Sequence, residues 1–253
     1  MIQSVARAAR LLRELAGDTP RLGVTELAER VCLAKGTVHG LLRTLEAEGL
    51  VQQDPETGKY QLGMALFQLG STVLENHPLR ARSLFWADAL ANRTRQSSRV
   101  GVLHGAHVIV VHHVFRPDDT VQILEVGASI PWYACALGKA VVASLDAVDR
   151  DRLLAGQREP LTGGTLTGRD ELAAELRRTA TAGLAAEDQE AIVGEAGLAA
   201  PVFDSSGRAV GALGITGPAD RFGGADAAAL RAAVRECARG LSRDLGARRR
   251  TAG

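Results

Sequence analysis

Residues 35–47 combine hydrogen-bond donors with missing side chains in a pattern suited to reading a charged, grooved surface. Lys35, Thr37, His39 and Arg43 can donate, and Gly36 and Gly40 stand among them. On a helix turning roughly 100° per residue, Gly36, His39, Gly40, Arg43 and Ala47 share one face, with Lys35, Thr37 and Thr44 beside it. Val38, Leu41, Leu42 and Leu45 gather on the other face. Glycine inside a helix costs about 1 kcal/mol relative to alanine, and a face that meets only water usually carries Glu, Lys and Gln. Two glycines framed by donors therefore imply close approach to another surface. The DNA major groove, with its phosphates and base-edge acceptors, is such a surface. The plainer reading, a helix pair inside an ordinary core, fits the short turn and the following hairpin less well.

The flanking residues spell out what holds this helix. A preceding helix is expected to start at Thr25, whose hydroxyl can cap the first turn. Glu26 suits its positive end, and Leu27, Ala28 and Val31 face inward. Cys32, Leu33 and Ala34 connect it to a helix over 35–48 that Gly49 stops. Two strand-like runs, 50–52 and 59–62, flank Asp54-Pro55-Glu56-Thr57-Gly58, a tight-turn sequence, and form a wing. Lys59 and Tyr60 are the wing's candidate DNA contacts, although Tyr60 equally suits packing of the hairpin. Ahead of these, Val5, Ala8, Ala9, Leu12 and Leu15 predict an amphipathic helix with Arg7, Arg10 and Arg13 on its polar side.

Charge limits what this module does alone. The chain has 30 Lys and Arg against 29 Asp and Glu, so it is no general nucleic-acid sponge. Over residues 1–45 the basic side chains outnumber the acidic by three, and by residue 62 the balance is zero. One copy should bind weakly, and specific binding calls for two or more copies on one duplex.

At 253 residues the chain predicts two domains. The expected organisation is a winged helix-turn-helix over 1–62, a linker helix over 63–77, a second domain over 78–247 and a disordered tail over 248–253. Pro78 opens a helix to about residue 95, and strands follow at 100–103, 108–114 and 121–126. Helices are expected at 136–145, 149–154 and 169–181, the last with a capping box from Thr167 and Asp170. Strands at 184–186, 197–203 and 209–216 precede a closing helix at 225–245. This order predicts an α+β fold around one antiparallel sheet. Cys32, Cys135 and Cys237 read as small buried hydrophobes. The chain carries no apolar run near 18 residues and no signal-peptide pattern, so a cytoplasmic protein without membrane association is expected.

The motifs together resemble IclR-type transcriptional regulators over residues 2–245. They are Ser4-Val5-x-Arg7-Ala8, Leu33-Ala34-Lys35-Gly36-Thr37-Val38, Gly58-Lys59-Tyr60-Gln61-Leu62-Gly63, Ala136-Leu137-Gly138-Lys139-Ala140, Glu190-x-x-x-Gly194 and Ala199-Ala200-Pro201-Val202-Phe203-Asp204. Within the family, His112-His113-Val114-Phe115-Arg116-Pro117-Asp118-Asp119 and the stretch 237–247 are similar to the actinobacterial glycerol-operon branch. The resemblance implies a GAF-like effector domain, dimers through the DNA-binding half and often a dimer of dimers. It implies an effector pocket at Trp132, Tyr133, Ala136, Leu137, Glu187, Gly197, Gly214 and Thr216. Family members often carry Leu-His at 132–133, Cys at 197 and Ser at 214. The exchanges here remove donors and add aromatic surface, which suits a ring-bearing ligand. The glycerol branch points instead to glycerol 3-phosphate, whose charge calls for Arg116, Lys139 or helix-end amides.

His104, His107, His112 and His113 invite a metal reading. Adjacent strand residues point to opposite faces, however, so His112 and His113 do not join one site, and no metal or other cofactor is expected. The function implied is a sequence-specific DNA-binding repressor of a metabolic operon, controlled by a small molecule. The alternatives are an enzyme or a protein-binding module with a winged-helix appendage. No Gly-x-Ser-x-Gly or nucleotide loop supports the enzyme, and Glu187, Glu190 and Glu195 lack an evident acid–base partner.

Overall fold

The computed structural model describes residues 1–17, 19–118 and 122–247. The expected tail, 248–253, and Val121 at the head of the expected third strand lie outside these residues. The chain forms two compact units, Met1–Asn76 and His77–Gly253.

In the first unit α1 (Gln3–Leu15), α2 (Val24–Arg30) and α3 (Lys35–Ala47) precede a two-stranded wing, β1 (Val51–Gln53) and β2 (Tyr60–Leu62), and then α4 (Met64–Glu75). Leu11, Leu15, Leu27, Val38, Leu42 and Tyr60 meet in its core. The apolar stripe of α1 is rotated from the expected one: Leu11 is buried and Val5 is exposed. Gly23, and not Thr25, is the N-cap of α2. Its N–H donates to Glu26 Oε2 (2.7 Å), so the Glu26 carboxylate ties the first turn. Cys32, at φ 54°, turns the chain between α2 and α3. Gly49, at φ 68°, ends α3. The Gly49 N–H donates to Glu46 O (2.9 Å) and the Leu50 N–H to Leu45 O (2.8 Å), the paired bonds of a left-handed helix stop. In the wing turn the Asp54 carboxylate accepts from the Glu56 and Thr57 N–H groups (2.9 and 3.2 Å), which hold it below the usual carboxylate range.

The second unit begins with α5 (Pro78–Thr94), β3 (Ser97–His104), β4 (His107–Val114) and β5 (Ser129–Pro131). A 3-10 turn (Trp132–Ala134), α6 (Ala136–Ala143), α7 (Ala147–Leu154) and α8 (Arg169–Ala182) follow. The chain ends with β6 (Ala185–Asp188), β7 (Glu195–Phe203), β8 (Ala209–Pro218) and α9 (Ala227–Asp244). The strands form one six-stranded antiparallel sheet in the order β5-β4-β3-β8-β7-β6. Helices α5 and α9 pack on one face and α6 on the other, so the fold class is α+β. Residues 122–126 form no strand. Their place on the β4 edge is taken further along, where the Gly127 N–H donates to Val110 O (2.8 Å) and β5 pairs with β4. The expected capping box at Thr167 is also absent: Gly168 is the N-cap of α8, with no side-chain cap.

Candidate functional site

The first surface is the outward side of α3. Val38, Leu42 and Leu45 are buried beneath it, while Lys35, Gly36, Thr37, His39, Gly40 and Arg43 are all exposed. A Cβ built on Gly36 or on Gly40 meets no atom within 4 Å. Nothing inside the unit therefore asks for glycine, and the helix bears its cost without an internal reason. Gly63 is the contrast, because a Cβ there would stand 2.1 Å from Gly49 O. Lys59 is half-exposed on the wing, with Nζ 3.9 Å from Glu26 Oε2. Tyr60 does not belong to this surface: it is 1% exposed and sits in the core. Its backbone exchanges hydrogen bonds with Leu22 (2.9 and 3.1 Å). Tyr60 and Leu62 share one face of the strand, and the core covers Tyr60 but leaves Leu62 at its exposed edge.

The second site lies on the α6 face of the sheet. Cross-strand register aligns Arg99 of β3 with His113 of β4 and Gly214 of β8. In the next row Ser97, Thr216, Gly197 and Glu187 stand side by side across β3, β8, β7 and β6. Side chains in such rows share a face. Gly197 and Gly214 contribute none, so a trough opens between Arg99 and Glu187, roofed by Cys135, Ala136 and Leu137 at the start of α6. The cleft measures ≈ 20 Å³, enough for a single water. A Cβ on Gly214 would stand 2.5 Å from Leu198 O, so packing alone demands glycine there. At Gly197 a Cβ would press on Glu187 Oε1 at 3.1 Å, and its absence gives the carboxyl its place.

The charges around this trough are buried. Burial pushes the Glu187 carboxyl up to about 7, although its Oε2 accepts from the Glu190 N–H (3.3 Å). Lys139, 1% exposed, is ion-paired with Glu190, and its Nζ also donates to Ala186 O (3.3 Å). Burial pushes Glu190 up against the pull of Lys139. The Cys135 thiol caps α6, accepting from the Gly138 N–H (3.4 Å), and burial pushes it up to about 12. Arg99 Nη2 donates to Glu125 Oε1 (2.6 Å), and its Nε pairs with the other carboxylate oxygen.

Of the expected effector residues, Ala136, Leu137, Glu187, Gly197, Gly214 and Thr216 come together at this cleft. Trp132 and Tyr133 do not line it. Both are buried against Val142, Leu154, Leu172 and Leu176. The Tyr133 hydroxyl donates to Glu159 O (2.9 Å) and accepts from the Glu159 N–H (3.1 Å). The ring-bearing ligand inferred from these two residues loses its footing. Arg99, Ile130 and Cys135 line the cleft and were missed by the sequence reading, which began β3 at Val100 and so left Arg99 outside the strand. The alternation Ser97, Arg99, Gly101 was the available signal. His113 is buried, and burial, reinforced by Arg99 and His112, lowers its pKa to about 4. Among the described residues no three His, Cys, Asp or Glu side chains gather as a metal set.

The Glu187 environment makes a pH prediction. A carboxyl raised from 4.5 to about 7 in the folded state favours folding fully below pH 4.5. That contribution is lost as pH rises through about 7, because the unfolded chain gives up its proton first. Each pH unit of that window is worth about 1.4 kcal/mol at most. Thermal unfolding of wild type and Glu187→Gln between pH 4.5 and 8 should show the variant gaining relative stability as pH rises. Parallel curves would refute a buried, titrating Glu187.

An exposed, glycine-notched helix on a winged unit, joined in one chain to an α+β unit with a polar cleft, is the plan of a one-component transcriptional regulator. Residues 4–55 match the IclR helix-turn-helix domain, and residues 71–243 match the C-terminal domain of bacterial IclR transcriptional regulators. The chain belongs to the IclR family. It is a DNA-binding regulator of metabolic operons with a small-molecule effector domain, and it is not an enzyme. It is 49% identical over 250 residues to the glycerol operon regulatory protein of Streptomyces griseus, with 98% of each chain covered. Identity to the protein of that name from Streptomyces coelicolor is 48% over 250 residues, again with 98% of each covered. The crystal structure of an IclR-type regulator from Alicyclobacillus acidocaldarius superposes with a TM-score of 0.83 at 28% identity, covering 96% of this chain and 98% of that one. Among the described residues no helix is long and apolar enough to cross a membrane.

Proposed function

We propose that this protein represses an operon of glycerol metabolism and that glycerol 3-phosphate releases it from a double-stranded operator. The observation that carries the DNA half is the outward face of α3, where Gly36 and Gly40 have no internal role and donors surround them. The identity to two glycerol operon regulatory proteins over nearly the whole chain supports the choice of operon. Arg99 on the cleft wall supports an anionic effector, and the Glu187 carboxyl opposite suits its hydroxyl groups.

The protein acts as a homodimer, or a dimer of dimers, through its first unit. All 12 residues of α4 escape full burial within the chain, and Met64, Phe67, Leu69 and Val73 expose apolar side chains. A helix this short is marginal alone in water, and a second copy supplies the surface it lacks. The near-zero charge of the winged region also favours paired binding. As the linker, α4 passes the effector signal to the DNA-binding half, in the cytoplasm where the operator lies. The effector must prefer one of the two arrangements, because equal affinity for both shifts nothing.

Arg43→Ala tests the reading. Each copy loses a groove contact worth about 1–3 kcal/mol, so operator affinity should fall at least tenfold in gel shifts. Effector affinity, measured by titration of the same variant, should stay the same. Unchanged DNA affinity would remove α3 from the interface.

A further inference from the structure

Residues 122–125 run along the β3–β4 side of the trough, tied down by polar groups. Gln122 Oε1 accepts from the Ser97 hydroxyl (2.8 Å) and from the Arg116 N–H (2.7 Å). The Glu125 N–H donates to His113 Nδ1 (3.2 Å), and the Glu125 carboxylate holds Arg99 (2.6 Å). Ser97, Arg99 and His113 all belong to the rows that face the trough. Between the two anchors Ile123 and Leu124 are 81% and 60% exposed. This strap is thus held by its polar bonds and not by its apolar side chains.

We propose that Glu125 is an internal occupant of an anion subsite whose cation is Arg99, and that an anionic effector binds by taking Arg99 from Glu125 and freeing the strap. The proposal rests on the effector reading above and adds how the site is kept closed. The cleft, at ≈ 20 Å³, is too small for glycerol 3-phosphate, so something must yield. Its floor is fixed by strand backbones in close approach at Gly214, and its roof is the buried start of α6. The strap holds Arg99 of the cleft wall through Glu125, and its release exchanges one charged pair for another. A guanidinium takes a carboxylate or a phosphate in the same forked geometry. Arg99 is already largely removed from water, so the exchange adds little desolvation of the cation. Burial pushes the Glu125 carboxyl up, and its return to solvent relieves that penalty. A phosphate dianion out-competes a single carboxylate for one guanidinium, whereas an uncharged polyol has nothing to exchange.

Calorimetric titration of the full-length protein with glycerol 3-phosphate, and separately with glycerol, tests this. Glu125→Gln keeps the shape and removes the competing charge, so it should bind glycerol 3-phosphate about tenfold tighter than wild type. Glu125→Gln combined with Arg99→Gln leaves no lone buried charge and should lose that binding, with operator binding and melting temperature as checks on folding. Glycerol should bind none of the three in a charge-dependent way. Wild-type binding of glycerol 3-phosphate that Glu125→Gln leaves equal or weakens overturns the strap proposal alone. Binding that survives loss of both charges overturns it as well. No binding by either wild type or Glu125→Gln overturns the effector reading and, with it, the strap.

Discussion

Gly40→Glu should abolish operator binding, by more than a hundredfold, while the protein melts at the wild-type temperature or slightly above it. The two effects have opposite signs because they arise on different sides of α3. Toward the unit, a Cβ at position 40 meets nothing within 4 Å, so no internal contact is strained. Glutamate is also a better helix former than glycine by more than about half a kcal/mol. Toward the outside, the new carboxylate stands on the face shared by His39 and Arg43 and would enter a groove walled by phosphates. Paired copies meet the penalty twice, once in each half-site. Gly36→Ala and Gly40→Ala form the milder series, each stabilising by up to about 1 kcal/mol. Thermal melts and gel shifts on the same preparations provide the check. A stable Gly40→Glu protein that still binds its operator would mean that this face of α3 meets water in the complex.

Lys139→Met should destabilise the second unit by about 3–5 kcal/mol, seen as a lower urea midpoint. Lys139 and Glu190 are both buried, and the ammonium is the cation that compensates the Glu190 carboxylate. Removing it leaves an acid that burial already pushes up, with its neighbour Glu187 raised in the same way. The pair need not be a net source of stability, since two charges withdrawn from water lose much of what they gain from each other. The double variant Lys139→Met with Glu190→Leu should accordingly recover most of the loss. A single variant as stable as wild type, or a double variant worse than the single, would contradict the pairing. Such a result would also weaken the case for a rigid roof over the cleft, because Lys139 sits on α6.

The outward residues of α3 were legible because one helix sets both their spacing and their direction. Period 3.6 put Val38, Leu42 and Leu45 inside and the glycines outside, and neither assignment needed the rest of the chain. Tyr60 was harder. In a strand of three residues the inward side depends on what the hairpin packs against, and here Leu22 and the helical core claim it. Caps read from residue type miss at both Thr25 and Thr167, because the chain enters the helix two residues before Thr25 and one residue after Thr167. At the cleft the resemblance supplied Ala136, Leu137, Glu187, Gly197, Gly214 and Thr216, which the cross-strand register brings together. Period-2 logic would add Arg99, but the expected start of β3 at Val100 lies three residues inside the observed one. Trp132 and Tyr133 were also supplied by the resemblance, and their rings suggested a ring-bearing ligand. Only the position of α8 reveals that Leu172 and Leu176 take both rings into a separate core. Glu125 was invisible for a similar reason: its meaning depends on a strap lying against Arg99, and the expected strand over 121–126 leaves no room for one.

Whether paired α3 helices enter one duplex together is decided by selection of binding sites from a random pool of duplex DNA with the full-length protein. An inverted repeat should be enriched, its half-site centres about 10 base pairs, or a whole multiple of that, apart. Guanine N7 methylation within those half-sites should block binding, as a helix seated in the major groove requires. Enrichment of a lone asymmetric element, or sites indifferent to major-groove methylation, would contradict that paired entry.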